Sequence, residues 1–149
     1  MTVQDLVDAV EAFAPPSFAE SWDRVGLHVG RLGAPLDGPV MLAIDLTEGV
    51  LDEAIEAGAG AIVAYHPPIW TPIDRLTDDS AKGRILLRAV EAGIAIYSPH
   101  TALDAAPGGV TDWLCEGICG GTLQGDCRAL VSHTGKARVK VVTFVPHEA

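Results

Sequence analysis

The sequence has 149 residues, of which 48% are hydrophobic and 20% charged, so we expect one globular domain with a buried core rather than a disordered chain. Its formal net charge of -10 argues against nucleic-acid binding, which needs clustered lysines and arginines. No apolar run approaches the ~18 residues of a transmembrane helix, so no membrane partner is expected. The odd number of cysteines, without a C-x-x-C pair, favours reduced thiols and a cytoplasmic protein.

The first predicted element is an amphipathic helix near the N-terminus. Thr2 is placed to cap it, and Asp5 completes a capping-box pattern. Two consecutive prolines, Pro15 and Pro16, are expected to end it. Its apolar residues repeat at helical spacing: Val3, Leu6, Val7, Val10 and Phe13.

Short apolar strands then alternate with amphipathic helices. Residues 39–45, 61–64 and 94–98 are predicted strands, and the helices that precede the second and third strands end near Gly58 and Gly93. This alternation favours an α/β fold of layered βα units with parallel strand pairs.

Two stretches of this region resemble each other. "AIEAGAGAIVAYHP" and "AVEAGIAIYSPHT" share an Ala-(Ile/Val)-Glu-Ala-Gly segment, an apolar strand, and then Tyr, Pro and His together. Glu56 and Glu91 are 35 positions apart (91 − 56), a spacing that suits one βαβ unit of roughly 30 residues or more. Duplication and chance similarity are both open explanations. In either case, each stretch delivers a histidine to the carboxyl end of a strand.

The character of the sequence changes after Gly120. We expect an α/β domain with a metal site over residues 1–120, followed by a turn-rich tail over residues 121–149. The tail contains a predicted strand at residues 139–145. Because little chain follows that apolar strand to cover it, we expect association with another copy or with a partner polypeptide.

Polar residues follow the predicted strands at their carboxyl ends, where ligands bind to open α/β sheets. We predict that His66 and Asp104 bind a divalent metal ion, Zn, Mn or Fe, because imidazole and carboxylate together suit these ions. A merely hydrogen-bonded cluster is the alternative. His100 has three open roles: metal ligand, partner of a ligand, or catalytic proton carrier. Asp45 is expected to cap the following helix or to support a ligand.

Three stretches of the chain, in order, resemble the Nif-three-like (NGG-interacting-factor-like) family, which includes the GTP cyclohydrolase I type 2 homologues. They are "ESWDRVGLHVG", "LAIDLTEGVLDEAIEAGAGAIVAYHPPIW" and "IYSPHTALDAAPGGVTDWL". The resemblance extends over about residues 3–118 and corresponds to the N-terminal half of the family's fold. It implies that the tail, residues 121–149, is the start of a missing second segment, because the strand at residues 139–145 resembles the one that opens the family's next segment. A partner polypeptide would then supply the missing half. The resemblance also implies an α/β fold that forms dimers and hexamers around a centre of up to two metal ions. By position, His66 and Asp104 match family ligands, and His100 matches a histidine beside the metals.

Two departures from the family pattern bear on the site. Tyr65 stands where many members carry the first histidine of a pair, and the family's late His and Glu have no clear counterpart here. Tyr65 is expected to lie in or beside the site, or alternatively in the core.

Two functions follow from the resemblance. One is a metal-dependent hydrolase of the GTP cyclohydrolase type 2 kind, with His100 as its catalytic proton carrier. The alternative is a non-catalytic metal-binding scaffold or regulatory protein that acts as an oligomeric ring.

Overall fold

Four short strands form one sheet within residues 1–122, the part of the chain that the computed structural model describes. They are β1 (Gly26–Val29), β2 (Val40–Ala43), β3 (Ala61–Ala64) and β4 (Ala95–Ser98). Their order across the sheet is β1-β4-β3-β2; β3 is parallel to β2 and to β4, whereas β1 is antiparallel to β4. The predicted α/β fold with parallel strand pairs is confirmed.

Five α-helices connect and flank these strands in the described residues: α1 (Val3–Phe13), α2 (Glu48–Glu56), α3 (Ala81–Glu91), α4 (His100–Ala105) and α5 (Val110–Ile118). The capping box predicted for α1 is present, because Thr2 accepts from the Asp5 N–H and the Asp5 carboxylate accepts from the Thr2 N–H at 2.7 Å. Helix α1 ends at Phe13, ahead of the two prolines, as predicted.

Alternate residues of the central strands face two separate cores. Ile62 and Ile96 pack with α2 and α3 on one face, whereas Ala61 and Tyr97 pack with α1 on the other. Successive side chains of a strand point to opposite faces of a sheet, so strands that are apolar at every position require cover on both sides. The helices provide that cover for the central strands β3 and β4.

The two similar stretches occupy equivalent places in the fold. Helices α2 and α3 are both followed by a glycine with positive φ, Gly58 at 62° and Gly93 at 70°, which only a residue without a Cβ adopts readily. The strands after them, β3 and β4, are adjacent and parallel, and Ile62 is paired with Ile96. Their carboxyl ends therefore meet at one edge of the sheet.

The predicted strand at residues 139–145 lies outside the described residues, as does almost all of the predicted tail. Within residues 1–122, every helix is too short or too polar to cross a membrane.

Candidate metal centre

His66 lies just beyond the end of β3 and is held there by backbone hydrogen bonds. The N–H groups of Tyr65 and His66 donate to the carbonyls of Ala43 and Ile44 at 2.8 and 3.0 Å, so the pairing with β2 continues past the strand. Pro67 and Pro68 then end this pairing, because proline has no N–H to donate. The backbone therefore fixes where the imidazole emerges.

The ring of His66 is oriented by Asp45. Nδ1 of His66 and Oδ1 of Asp45 are 2.7 Å apart, and the two side chains are 49% and 68% exposed. When Nδ1 donates to a carboxylate, the lone pair of Nε2 is available, as in metal-bound histidines. The alternative role expected for Asp45, as the cap of α2, is wrong: Thr47 caps that helix and accepts from the Val50 N–H, because a cap must immediately precede the first helical turn.

Tyr65 is bonded directly to the other predicted ligand. Its hydroxyl donates to Oδ1 of Asp104 over 2.6 Å, and Ser98 fixes the Tyr65 carbonyl through a hydrogen bond of 2.9 Å. Burial raises the pKa of Tyr65 well above its ordinary value, and the Asp104 carboxylate adds to this effect. The phenol is therefore protonated at neutral pH and donates its hydrogen bond to Asp104. Tyr65 thus lies beside the candidate site and not in the core, which were the two positions expected for it.

His100 is held by a carboxylate that the sequence interpretation missed. Nδ1 of His100 is 2.7 Å from Oδ1 of Asp23; the His100 side chain is 15% exposed, and the Asp23 side chain is fully enclosed. Asp23 also accepts hydrogen bonds from the N–H and hydroxyl of Thr101 and from the Arg24 N–H. Burial alone would raise the pKa of Asp23, but the hydrogen bonds from His100, Thr101 and Arg24 together outweigh it and hold that pKa below its ordinary value.

Sheet topology explains why Asp23 reaches His100 from 77 positions away in sequence. Strand β1 is antiparallel to β4, and Gly26 at its start is paired with Ser98 at the end of β4. The residues before Gly26 therefore meet those after Ser98. The one signal in the sequence was that Asp23 belongs to "ESWDRVGLHVG", the first of the three stretches that carry the family resemblance.

His100 also has an unusual backbone conformation. Its φ is 31°, which makes it the one non-glycine residue with positive φ among residues 1–122. Sparsely populated conformations of this kind cost about 1–3 kcal/mol and persist only where surrounding contacts enforce them. The enclosed Asp23 and the neighbouring Thr101, which binds the same carboxylate, supply such contacts.

These side chains converge into one cluster. The ring centroids of His66 and His100 are 5.7 Å apart, and that of Tyr65 is 4.9 and 5.5 Å from them. His66 and Asp104 are connected through Tyr65, which touches both. A cavity of about 290 Å³ opens on the other side of His66, between Asp45 and the only lysine of the described residues, Lys82.

The donors fit a divalent metal ion in type but fall short in number. An imidazole nitrogen and a carboxylate oxygen are ordinary ligands for Zn, Mn and Fe. Residues 1–122 contain no group of three or more His, Cys, Asp or Glu side chains arranged to hold such an ion. Metal binding by His66 and Asp104 therefore stays a prediction, as does the catalytic role of His100.

Comparison with known proteins places this chain in a family. A family model described as Duf34/NIF3 (NGG1p interacting factor 3) matches residues 1–134. NIF3-like protein 1 of Bos taurus is 43% identical over 137 residues, which cover 92% of this chain and 35% of that protein. The GTP cyclohydrolase 1 type 2 homolog of Halalkalibacterium halodurans is 38% identical over 144 residues, 97% of this chain and 37% of that protein.

A solved structure shows the same fold. The crystal structure of a Bacillus cereus protein related to NIF3 superposes with a TM-score of 0.74 at 38% identity, over 79% of this chain and 32% of that one. The chain thus spans about a third of the length of the relatives it matches.

Proposed function

The chain belongs to the Duf34/NIF3 family, and from that premise we propose a metal-dependent hydrolase of the GTP cyclohydrolase type 2 kind. In this proposal His66 and Asp104 bind a divalent cation, and His100 is the catalytic proton carrier. The observation that carries it is the convergence at one sheet edge of a carboxylate-backed histidine from each of two adjacent parallel strands. Two bacterial relatives, of Halalkalibacterium halodurans and Bacillus subtilis, are named GTP cyclohydrolase 1 type 2 homologs, which supports the reaction class.

The cation would be held by Nε2 of His66 and by Asp104. A bound Zn, Mn or Fe ion lowers the pKa of a coordinated water and so supplies a nucleophile at neutral pH. Because Tyr65 donates to Oδ1 of Asp104, Oδ2 is the oxygen that it leaves for the cation. A complete centre of up to two ions needs further ligands from outside residues 1–122 or from another copy.

His100 is suited to carry protons. Its Nδ1 faces Asp23, so Nε2 is the nitrogen that exchanges a proton with a substrate or with water. Asp23 has a pKa below its ordinary value and is therefore a carboxylate at neutral pH, where it faces Nδ1 of His100 at 2.7 Å. The low exposure of His100 keeps bulk water away from its hydrogen bond to Asp23.

Assembly into dimers or hexamers is part of the proposal. Leu42 and Ile44, on and just after the edge strand β2, are exposed large hydrophobic side chains. An edge strand with exposed apolar residues is a surface for association. Another copy, or a polypeptide equivalent to the rest of the longer relatives, would cover it.

Metal-dependent stabilisation tests the proposal. The melting temperature of the full chain is measured with and without Zn or Mn, for the wild type, His66→Ala and His28→Ala; His28 in β1 bonds to the Arg24 carbonyl instead and serves as the control. An ion at 100 times its Kd stabilises a protein by about 2.7 kcal/mol. We expect His66→Ala to lose the shift and His28→Ala to keep it.

Turnover distinguishes a hydrolase from a scaffold. The metal-loaded chain is assayed for hydrolytic opening of the guanine ring of GTP. His100→Ala is expected to lower kcat by about 10²-fold or more while metal binding persists. An unchanged metal-induced shift in His66→Ala, or equal turnover in His100→Ala, contradicts the proposal.

A further inference from the structure

Two tryptophans flank His100 on the outer side of the cluster. The ring centroids of Trp22 and Trp70 lie 6.3 and 5.8 Å from that of His100 and 5.8 Å from one another. Trp22 precedes β1, Trp70 follows β3, and His100 follows β4. Three segments far apart in sequence therefore bring aromatic rings to the one place where the candidate catalytic histidine lies.

These indoles are not core residues. Trp22 is 56% exposed and Trp70 is 42% exposed, whereas the large apolar side chains of the central strands, Ile62, Ile96 and Tyr97, are at most 1% exposed. Aromatic side chains bury about 150–250 Å² when they are enclosed. Two half-exposed indoles therefore contribute much less hydrophobic stabilisation than two buried ones would. Exposed rings grouped beside polar catalytic groups are the arrangement by which proteins stack flat ligands.

We infer that Trp22 and Trp70 form a stacking surface for a planar nitrogen heterocycle, which they place against His100. This inference rests on the proposed function, since a hydrolase that opens such a ring needs it beside the proton carrier. The His100 ring is inclined at 74° to Trp22 and at 88° to Trp70. A heterocycle stacked on either indole therefore meets the imidazole at nearly a right angle.

A neutral base suits the surroundings. The chain carries a formal charge of -10, and the Asp23 and Asp104 carboxylates lie behind the cluster, so an uncharged ring meets no repulsion there. A cationic ligand is the competing chemistry, because indole faces also attract ammonium groups. The test therefore includes a cationic ligand as well as a neutral base.

Guanosine binding to the full chain is the experiment, measured by equilibrium dialysis and by tryptophan fluorescence, with ribose and choline as comparison ligands. Trp22→Leu and Trp70→Leu remove one stacking face each. Trp113→Leu is the control, because Trp113 is an exposed indole on α5 with no ring contact to the cluster in the described structure. We expect saturable guanosine binding that each cluster variant weakens about tenfold and the control leaves unchanged.

Several results would overturn the inference: no saturable guanosine binding, choline binding as tight as guanosine, or equal losses in all three variants. A fall in molecular mass by light scattering in Trp22→Leu or Trp70→Leu, without a guanosine effect, would assign the indoles to contact between copies.

The measurement is made in EDTA, so it does not depend on the metal. Guanosine binding without metal-dependent stabilisation would support the stacking surface and contradict the proposed hydrolase. Metal-dependent stabilisation without guanosine binding would contradict the stacking surface but not the proposed hydrolase.

Discussion

Replacing Asp23 by asparagine is expected to destabilise the protein far more than the same change at Asp45. Both aspartates face a histidine Nδ1 at 2.7 Å, but the Asp23–His100 pair is enclosed and the Asp45–His66 pair is exposed. The asparagine side chain would present an NH₂ group where the Asp23 carboxylate accepts hydrogen bonds from His100, Thr101 and Arg24. Hydrogen bonds to charged groups contribute about 1.5–3 kcal/mol, and a buried donor left unsatisfied costs about 1–3 kcal/mol.

We therefore expect Asp23→Asn to lower the free energy of unfolding by about 3 kcal/mol. Asp45→Asn, by contrast, removes a solvent-exposed pair and should cost about 0–1 kcal/mol. Urea unfolding of the full chain measures both, since a slope of about 1–3 kcal/mol per molar places the two midpoints about 1 M or more apart. Equal losses of stability in the two variants would refute the reasoning from burial.

The Asp23 carboxylate also predicts how the stability of the protein depends on pH. The folded-state pKa of Asp23 is lowered from an ordinary value of 3.8, so its contribution is fully present above that pH and is lost as pH falls through the folded value. The stability difference between the wild type and Asp23→Asn should thus be constant near neutral pH and shrink below about pH 4. A difference that grows in acid would contradict the assigned hydrogen bonds.

Two further changes test the site and its support. Tyr65→Phe keeps the ring but frees Oδ1 of Asp104, so calorimetric titration should show divalent-ion binding tightened about fivefold; weaker binding would instead make the hydroxyl a necessary support of Asp104. Gly60→Ala places a Cβ 2.3 Å from the Asp37 carbonyl, beside the start of β3, and should cost about 1–3 kcal/mol in urea unfolding, whereas Gly33→Ala, with open space around it, should cost less than about 1 kcal/mol.

The sequence predicted the elements that depend on local patterns. The capping residues of α1, the glycines that end α2 and α3, and the apolar run of residues 61–64 all act within a few positions of the chain. Because βα units place consecutive strands in parallel, their carboxyl ends meet at one edge, and His66 and His100 could be expected near one another there.

Contacts that depend on non-local pairing could not be predicted in this way. Asp23 reaches His100 only because β1 is antiparallel to β4, and no local pattern specified that pairing. Strict alternation along a strand would likewise place Tyr65 and His66 on opposite faces of the sheet. Both join the cluster because β3 ends at Ala64, after which strict alternation of side chains no longer applies.

His66 and His100 each face an aspartate at Nδ1, but the two pairs differ in exposure. The different roles proposed for the two histidines rest on this difference. His66, the proposed ligand, has a half-exposed side chain, which leaves room for an ion and its water to exchange. A proton carrier instead needs a fixed tautomer and orientation, which an enclosed carboxylate with several hydrogen bonds gives to His100. If the roles were exchanged, the metal would bind at the less accessible ring, and the proton carrier would be held by an exposed pair that solvent weakens. The proposed roles, metal binding for His66 and proton transfer for His100, therefore follow from burial more than from residue type.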